Sequence, residues 1–397
     1  MTSLLPQYPF SPNPVLLFGL LLLLGLAGGE LVRRVLRLPR IVGYVLIGMA
    51  LGASGAKLLD ARLLEDSWVF VEIALGLVLF ELGRRLDLAW LARERWLLAT
   101  GLAESALSFG FVYYALTWFG VSPLHAAVAA AIGVSTSPAV VMLVAQELNA
   151  EGQVTERAFA LTAMNGVAAL VLVTMLLAWI HHEYRAGWTV VVLHPVYLLG
   201  GSLLLGYCAF WLALALSRWL GKSAQGQFAL VLALILAAMG LARMLELQVL
   251  IALLAFGVFA RNLDERHDLM AVDVSRIGQV FFVVLFVVSG ARLELAELAA
   301  GGALAAAYIL ARFAGKSLGV MAFTYFSGAR AGAAGLLCLA LTPMSGLALA
   351  MVQGTASLYP EFGAKLAAIV LSAVLILEIA GPLAVQFALR RAGEAAQ

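Results

Sequence analysis

Charge is what this chain has least of. Of its 397 residues only 12% are Asp, Glu, Lys or Arg, while 63% are hydrophobic. A soluble domain carries about 25% charged residues. A chain so poor in charge cannot coat a water-facing surface, which excludes a soluble enzyme, a nucleic-acid binder and a disordered scaffold. The formal net charge of +2 is too small to draw in a polyanion. Cysteine is equally scarce. Cys208 and Cys338 both lie inside apolar runs, so neither a disulfide framework nor a thiolate metal site is expected. Five histidines complete the list of rarities. His181-His182-Glu183 reads as a short outer loop without further ligands. A nucleophilic Ser135 or Ser137 would need a histidine base, and only His125, at a helix start, is near a span. No helical HExxH, P-loop or dinucleotide fingerprint is present. An enzyme, a bound metal and a cofactor are therefore all unexpected.

Long apolar runs, by contrast, fill the chain, and the mean hydropathy is +1.00. A spanning helix needs ~20 mostly apolar residues. Thirteen runs qualify, from Pro14–Leu31 to Phe362–Leu389, the second (Pro39–Gly55) and ninth (Leu247–Ala260) being short. The runs are uniformly apolar rather than alternating, which argues against barrel strands. No Lys or Arg precedes the first run, so it is expected to be a span and not a cleaved signal peptide.

Loop arginines orient the bundle. Arg33, Arg34, Arg37 and Arg40 follow the first span, and Arg84, Arg85, Arg93 and Arg95 follow the third. The other loops on that side add Arg157, Arg218, Lys222, Arg261, Arg266, Arg276 and Arg330, and the tail adds Arg390 and Arg391. The opposite side holds only Lys57, Arg62, Arg185, Arg243, Arg292 and Lys365. The imbalance predicts an outside N-terminus and a cytoplasmic C-terminus, with no soluble nucleotide-binding domain expected in this chain.

Two spans are interrupted. The fifth, Ser122–Leu148, contains Gly133-Val134-Ser135-Thr136-Ser137-Pro138; the twelfth, Ala331–Leu358, contains Leu341-Thr342-Pro343-Met344-Ser345-Gly346. Proline removes a backbone donor and clashes with the preceding turn, which frees carbonyls for hydroxyls, water or an ion. Either break alone is as well explained by a kink in a packed helix. Both together, seven spans apart in two halves, point to a midplane binding site built from inverted repeats.

Further stretches carry a family resemblance. Pro39-Arg40-Ile41-Val42-Gly43-Tyr44-Val45-Leu46-Ile47-Gly48, Leu75-Gly76-Leu77-Val78-Leu79-Phe80 with Gly83 and Leu86-Asp87-Leu88, and Phe281-Phe282 through Ser289-Gly290 with Leu293-Glu294-Leu295 occur in a fixed order. In order and spacing the chain resembles the monovalent cation/proton antiporter superfamily, in its branch of Kef-type and sodium/proton exchangers. The resemblance implies an all-α membrane protein of 13 transmembrane helices, with inverted repeats and two broken crossing helices. It implies dimerisation scaffolds over 14–90 (spans one to three) and 226–297 (eight to ten). A transport domain would be made of 96–181 (four to six) and 298–390 (eleven to thirteen), with span seven, 194–220, as linker. A homodimer in a bacterial inner membrane, exchanging Na+ or K+ for protons by movement of the transport domain, is what such a family member would be. The small-residue stripe Gly25-Leu26-Ala27-Gly28-Gly29 would suit a dimer contact, or arises by chance in a glycine-rich chain.

The chain departs from that family where ion chemistry is expected. The family's span-six acidic pair is matched by Asn165-Gly166, so glycine stands where the ion-binding aspartate would be. A Pro-Arg-Gly-Glu-like element appears as Pro343-Met344-Ser345-Gly346, without its arginine and glutamate. Arg312, with Gly315 three residues on, resembles the family's buried basic residue, and Lys316 is the alternative match. A charge at the bilayer centre costs about 2.5–3.5 kcal/mol, so such a residue either faces the bundle interior or snorkels to a helix end.

Coupled exchange needs one group for which a proton and a cation compete, and glycine cannot be that group. Intramembrane carboxylates are the replacements: Glu104 in span four and Glu81 in span three are the proton-carrier candidates, with Glu72 and Glu378 also in apolar surroundings. The candidate ion-binding residues are Ser135, Thr136, Ser137, Asn165, Gly166, Arg312, Lys316, Thr342 and Ser345. The expected function is secondary transport resembling cation/proton antiport. The alternative is an uncoupled ion channel or a degenerate, non-exchanging family member.

Overall fold

The computed structural model describes residues 14–395, apart from 60, 184–187, 222–223, 265–268, 270–273, 294, 325 and 327–330. Arg185, Lys222, Arg266, Glu294 and Arg330 from the sequence analysis lie outside the described residues, as do the side chains of His181, His182, Glu183 and Arg276. The described residues form α-helices and no strand. Eight helices are long and apolar enough to cross a membrane, and four shorter apolar helices accompany them. This is an all-helical membrane protein.

Local chemistry sets many boundaries. α1 (Pro14–Leu36) ends where Arg37 adopts a left-handed conformation, φ 56°, and Pro39 restricts the residue before it. α2 (Arg40–Leu51) packs back on α1 through glycines. A Cβ at Gly28 would meet Ile47 and the Gly43 carbonyl, and one at Gly25 would meet Val283 and Val287 of a later helix. The stripe suggested for a dimer contact is thus used for packing inside one chain.

α3 (Ala61–Asp66) and α5 (Leu88–Arg93) are short helices flanking α4 (Trp68–Arg85) in stretches the hydropathy reading leaves as loops. Six residues without a spanning apolar run give no such signal. Asp87 caps α5, its carboxylate accepting the Trp90 N–H at 2.9 Å.

Beyond α6 (Arg95–Trp118), the fifth expected span is two helices, α7 (Pro123–Val134) and α8 (Pro138–Glu147). Proline at the first helical position starts each of them. This span is the axis of the bundle: 94% of its most apolar stretch is buried, against 33–61% for the other seven. α9 (Gln153–Glu183) runs through His181 and His182, so their backbone is helical and not the loop expected. α10 (Trp188–Leu220) also starts earlier than the boundary Pro195 suggested, with that proline inside the helix.

α11 (Ala224–Met244), α12 (Val249–Asn262) and α13 (Val274–Ala291) follow, then α14 (Leu295–Thr324). The twelfth expected span is again two pieces, α15 (Ala331–Ala340) and α16 (Gly346–Leu358), before α17 (Pro360–Arg391). α14 lies almost in contact with the α6 backbone. A Cβ at Gly315 would fall 2.6 Å from the Leu107 carbonyl oxygen, and one at Gly319 would overlap the backbone of Glu104. Two glycines four residues apart let helices approach this closely.

Candidate functional site

α7 and α15 both stop short in the interior, leaving residues 135–137 and 341–345 non-helical. The two interruptions cross. The Ser137 N–H donates to the Pro343 carbonyl at 2.9 Å, and Thr136 Oγ1 donates to the Leu341 carbonyl at 3.3 Å. The Ser137 and Ser345 hydroxyls lie 2.6 Å apart. Each of these groups is buried. Broken backbone inside a membrane protein persists only where its polar groups are satisfied by protein or water, and here the two breaks satisfy part of each other.

Two basic side chains of α14 satisfy much of the rest. Arg312, 1% exposed, donates from Nε to Gly133 O at 2.8 Å, from Nη1 to Thr342 O at 2.7 Å and from Nη2 to Ser135 O at 2.7 Å. Leu341 O and Pro343 O lie 3.4 Å from the same Nη2. The planar fork of a guanidinium suits several fixed acceptors at once. One turn along, Lys316 Nζ donates to Val134 O at 2.8 Å and to Glu104 Oε2 at 2.9 Å. Each half-helix C-terminus carries about half a negative charge, so α7 and α15 present their negative ends to these cations.

Glu104 reaches the crossing from α6. Its side chain is 0% exposed and that of Lys316 2%, so the ion pair is sealed from water. The close approach at Gly315 and Gly319 brings the two chains together. The second carboxylate oxygen, Oε1, has no hydrogen-bond partner, and neither do the buried hydroxyls of Ser108 and Thr162.

Asn165 of α9 completes the polar set. Its Nδ2 donates to Thr136 Oγ1 at 3.1 Å and its Oδ1 accepts from Ser105 at 3.3 Å. Gly166 is buried beside it, and a Cβ there would meet only Leu347, at 3.6 Å. Tyr308, one turn before Arg312, donates to Ala129 O at 3.0 Å. A Cβ at Gly133 would come within 2.7 Å of that hydroxyl, which accounts for the glycine.

Ser135, Thr136, Ser137, Asn165, Arg312, Lys316, Thr342, Ser345 and Glu104 are thus linked by hydrogen bonds around one crossing, with Gly166 beside Asn165. Ser135 and Thr342 contribute carbonyls there, while their hydroxyls bond back to Ile132 O and Cys338 O. Glu81 is placed differently. It lies at the end of α4, 3.6 Å from Arg84 and 3.7 Å from Arg85. Glu72 pairs with Trp68 Nε1 and Arg243. Glu378 of α17 accepts from Ser289 of α13 at 2.5 Å. Among the described residues no three His, Cys, Asp or Glu side chains gather as a metal site would require.

Tyr308 and Ser105 were not singled out by sequence reasoning. Tyr308 precedes Arg312 by four residues, a spacing that puts both on one helix face; Ser105 simply adjoins Glu104.

Residues 19–391 match the transmembrane sodium/hydrogen exchanger family. No curated protein matches the chain. Among solved structures, the sodium/proton antiporter MjNhaP1 of Methanocaldococcus jannaschii at pH 8 superposes with a TM-score of 0.73 at 17% identity, covering 96% of this chain and 97% of that one. An electron-microscopy map of the same antiporter gives 0.75 at 16% identity, covering 96% and 98%. At such identity the likeness establishes the fold.

Proposed function

The chain belongs to the sodium/hydrogen exchanger family, and from that membership we propose that it is a secondary transporter exchanging a monovalent cation, Na+ or K+, for protons, with the Glu104–Lys316 pair as the exchangeable group. The observation that carries the proposal is the pair of hydrogen bonds donated by Lys316 Nζ, one to Glu104 Oε2 and one to Val134 O at the edge of the first break. A carboxylate from α6 thereby stands in for the one that Gly166 cannot supply.

The chemistry is a competition. In one state the protonated Lys316 neutralises Glu104. In the other a monovalent cation takes the Glu104 carboxylate, and Lys316 gives up its proton to remain buried without a counter-charge. One cation enters as one proton leaves, so the net charge of the site is the same in both states. Ser105, Asn165 and Thr136 supply neutral oxygens beside the carboxylate, and Arg312 holds the two breaks together throughout.

The wider architecture of the proposal is thirteen spans, with the N-terminus outside and the C-terminus in the cytoplasm of a bacterial inner membrane. Residues 14–90 and 226–297 form a homodimer scaffold, 194–220 links the halves, and 96–181 with 298–390 move against the scaffold to expose the site alternately. The arginine-rich side carries a cavity of about 1060 Å³ lined by Arg85 of α4, Gln146 of α8 and Phe159 of α9, and the proposal takes that side as the cytoplasmic mouth.

The test is cation-evoked proton movement in liposomes containing the purified protein. Na+, K+ or Li+ should collapse an imposed pH gradient, and Glu104→Gln should abolish the response. Gly166 favours a second reading, an uncoupled pathway, because the position of the family's carboxylate is unfilled. A current reversing at the ion's Nernst potential, without proton movement, would establish that reading and overturn exchange.

A further inference from the structure

One cleft away from the crossing has the profile of an amphiphile. Two cavities, of about 260 and 400 Å³, share Arg33 and Glu147 in their walls. The first is lined by Arg33, Arg37, Pro39, Gln386 and Arg390 among others, the second by Arg33, Arg40, Tyr44 and Gln279 at one end and Leu22, Leu26, Leu143 and Val283 at the other. Charge is therefore sorted along the cleft. Four arginines gather at the level of the α1–α2 turn, and one to three helical turns deeper the walls are aliphatic.

The acids nearby do not cancel the arginines. Glu30 is shared by Arg33, Arg34 and Arg40 at 2.7, 2.7 and 3.1 Å. Glu147 lies 3.9 Å from Arg40 Nε and accepts the Arg40 backbone N–H at 3.2 Å. Arg40 Nε, though buried, has no hydrogen-bond partner, and the same holds for Gln146 Oε1 in the wall of the second cavity. Arg37 holds a left-handed backbone where helices ordinarily end on glycine, a conformation disfavoured in a residue with a side chain.

We propose that this cleft binds an anionic glycerophospholipid, its phosphate between Arg33, Arg37 and Arg390 and an acyl chain along Leu22, Leu26 and Leu143. A basic pocket between helices at the cytoplasmic face of a membrane suits a lipid phosphate, and the aliphatic arm selects a lipid over free phosphate. Arg33 and Arg37 stand on α1 and its turn, whereas Leu143 and Arg390 stand on α8 and α17. On the two-domain reading of the transporter, one lipid bridges scaffold and moving domain, and its occupancy sets how freely they slide. Binding itself does not depend on that reading.

The experiment uses delipidated, detergent-purified protein and native mass spectrometry, with melting temperature as a second readout. Phosphatidylglycerol should bind and raise the melting temperature, while phosphatidylcholine and water-soluble glycerol phosphate should do neither. Each arginine contributes about fivefold in affinity, so the double variant Arg37→Gln with Arg390→Gln should weaken phosphatidylglycerol by about 25-fold. Lysine at both positions should restore most of it. Both positions are exposed, and an unchanged melting temperature in the absence of lipid checks that the variants fold. Equal binding of phosphatidylcholine, binding of glycerol phosphate as tight as the lipid's, or a double variant that binds like the parent would each overturn the proposal. Cation-evoked proton flux in phosphatidylglycerol against phosphatidylcholine liposomes then reads the coupling separately.

Discussion

Gly319 faces Glu104 so closely that any side chain there would overlap the Glu104 backbone. That contact, with its neighbour at Gly315, is what places a buried ammonium against a buried carboxylate. Lys316 projects from between two glycines on the face that α14 turns to α6. The closeness of the helices sets the 2.9 Å separation of the pair. A slight parting would leave both charges in a medium that tolerates neither.

Gly319→Ala should therefore act on the ion pair without touching it. Overpacking of this kind costs about 1–3 kcal/mol, and parting α6 from α14 adds the loss of the pair. Gly166→Ala is the control, since its Cβ meets only Leu347 at ordinary contact distance. The melting temperature in detergent should fall clearly for Gly319→Ala and little for Gly166→Ala. Equal falls would mean that the close approach does not organise the site.

The pair itself can be dissected. Glu104→Gln or Lys316→Met removes one charge and leaves the other buried, a loss of about 3–5 kcal/mol. The double variant Glu104→Gln with Lys316→Met removes both and should recover most of that stability, while cation-evoked proton flux stays absent. A double variant that still exchanges would clear both residues of the role given them. A stability loss that merely adds across the two single variants would show that they are not coupled.

How much of this was legible in the sequence follows the range of each signal. The breaks at Pro138 and Pro343 were readable because proline and hydroxyls act within one turn; their matching places in the two halves pointed to one shared site, and the family resemblance implied that they cross. Arg312, Lys316 and Glu104 were readable singly, since any charge inside an apolar run is conspicuous. That Glu104 belongs to Lys316 was not, because the two lie 212 residues apart and nothing local to either names the other. The glycine spacing at 315 and 319 held the missing clue, marking the face of α14 on which another backbone would come close. Glu81 shows the reverse case. It was read as a proton-carrier candidate from its apolar surroundings, yet Arg84 and Arg85 stand three and four residues on, a spacing that favours a local ion pair, and the structure forms that pair.

Arg312→Lys should separate charge from geometry. The guanidinium serves three carbonyls at 2.7–2.8 Å, on both broken helices. Lysine keeps the charge but not the planar fork that meets all three. With hydrogen bonds to a charged group each contributing about 1.5–3 kcal/mol, losing one to two of them should cost about 2–5 kcal/mol and lower the melting temperature. Exchange should persist at reduced rate in the fraction that stays folded, because in the proposed competition Arg312 ties the breaks and the proton is carried by Lys316. An intact melting temperature would show that other groups hold the crossing.

Gly166→Asp places a carboxylate where the family's aspartate is expected and where Leu347 is the sole neighbour within 4 Å. The variant should fold, since a Cβ there meets only Leu347, at ordinary contact distance, and Lys316 belongs to the same crossing. In the parent background it competes with Glu104 for that lysine, so the cation dependence of proton flux should change. In the Glu104→Gln background it should restore flux that Glu104→Gln had removed. Failure of rescue in a folded variant would show that the carboxylate must come from α6 and that the two positions are not equivalent.

Glu378 and Ser289 form a second buried polar pair, joining α17 to α13 at 2.5 Å with one carboxyl oxygen left unpartnered. A buried hydrogen-bonding group that loses its partner costs about 1–3 kcal/mol, whereas replacing both partners by apolar groups of similar shape is nearly neutral. Ser289→Ala should therefore lower stability by about that amount, and Glu378→Gln, which keeps an acceptor for the serine hydroxyl, by less. Glu378→Leu with Ser289→Ala should return the protein close to its parent stability. On the proposed division α13 belongs to the scaffold and α17 to the moving domain, so this bond must break in each cycle of movement. The apolar double variant should then exchange at least as fast as the parent at the same cation concentration. Slower exchange at unchanged stability would mean that Glu378 takes part in transport itself, and that the bond to Ser289 is not a restraint between two moving bodies.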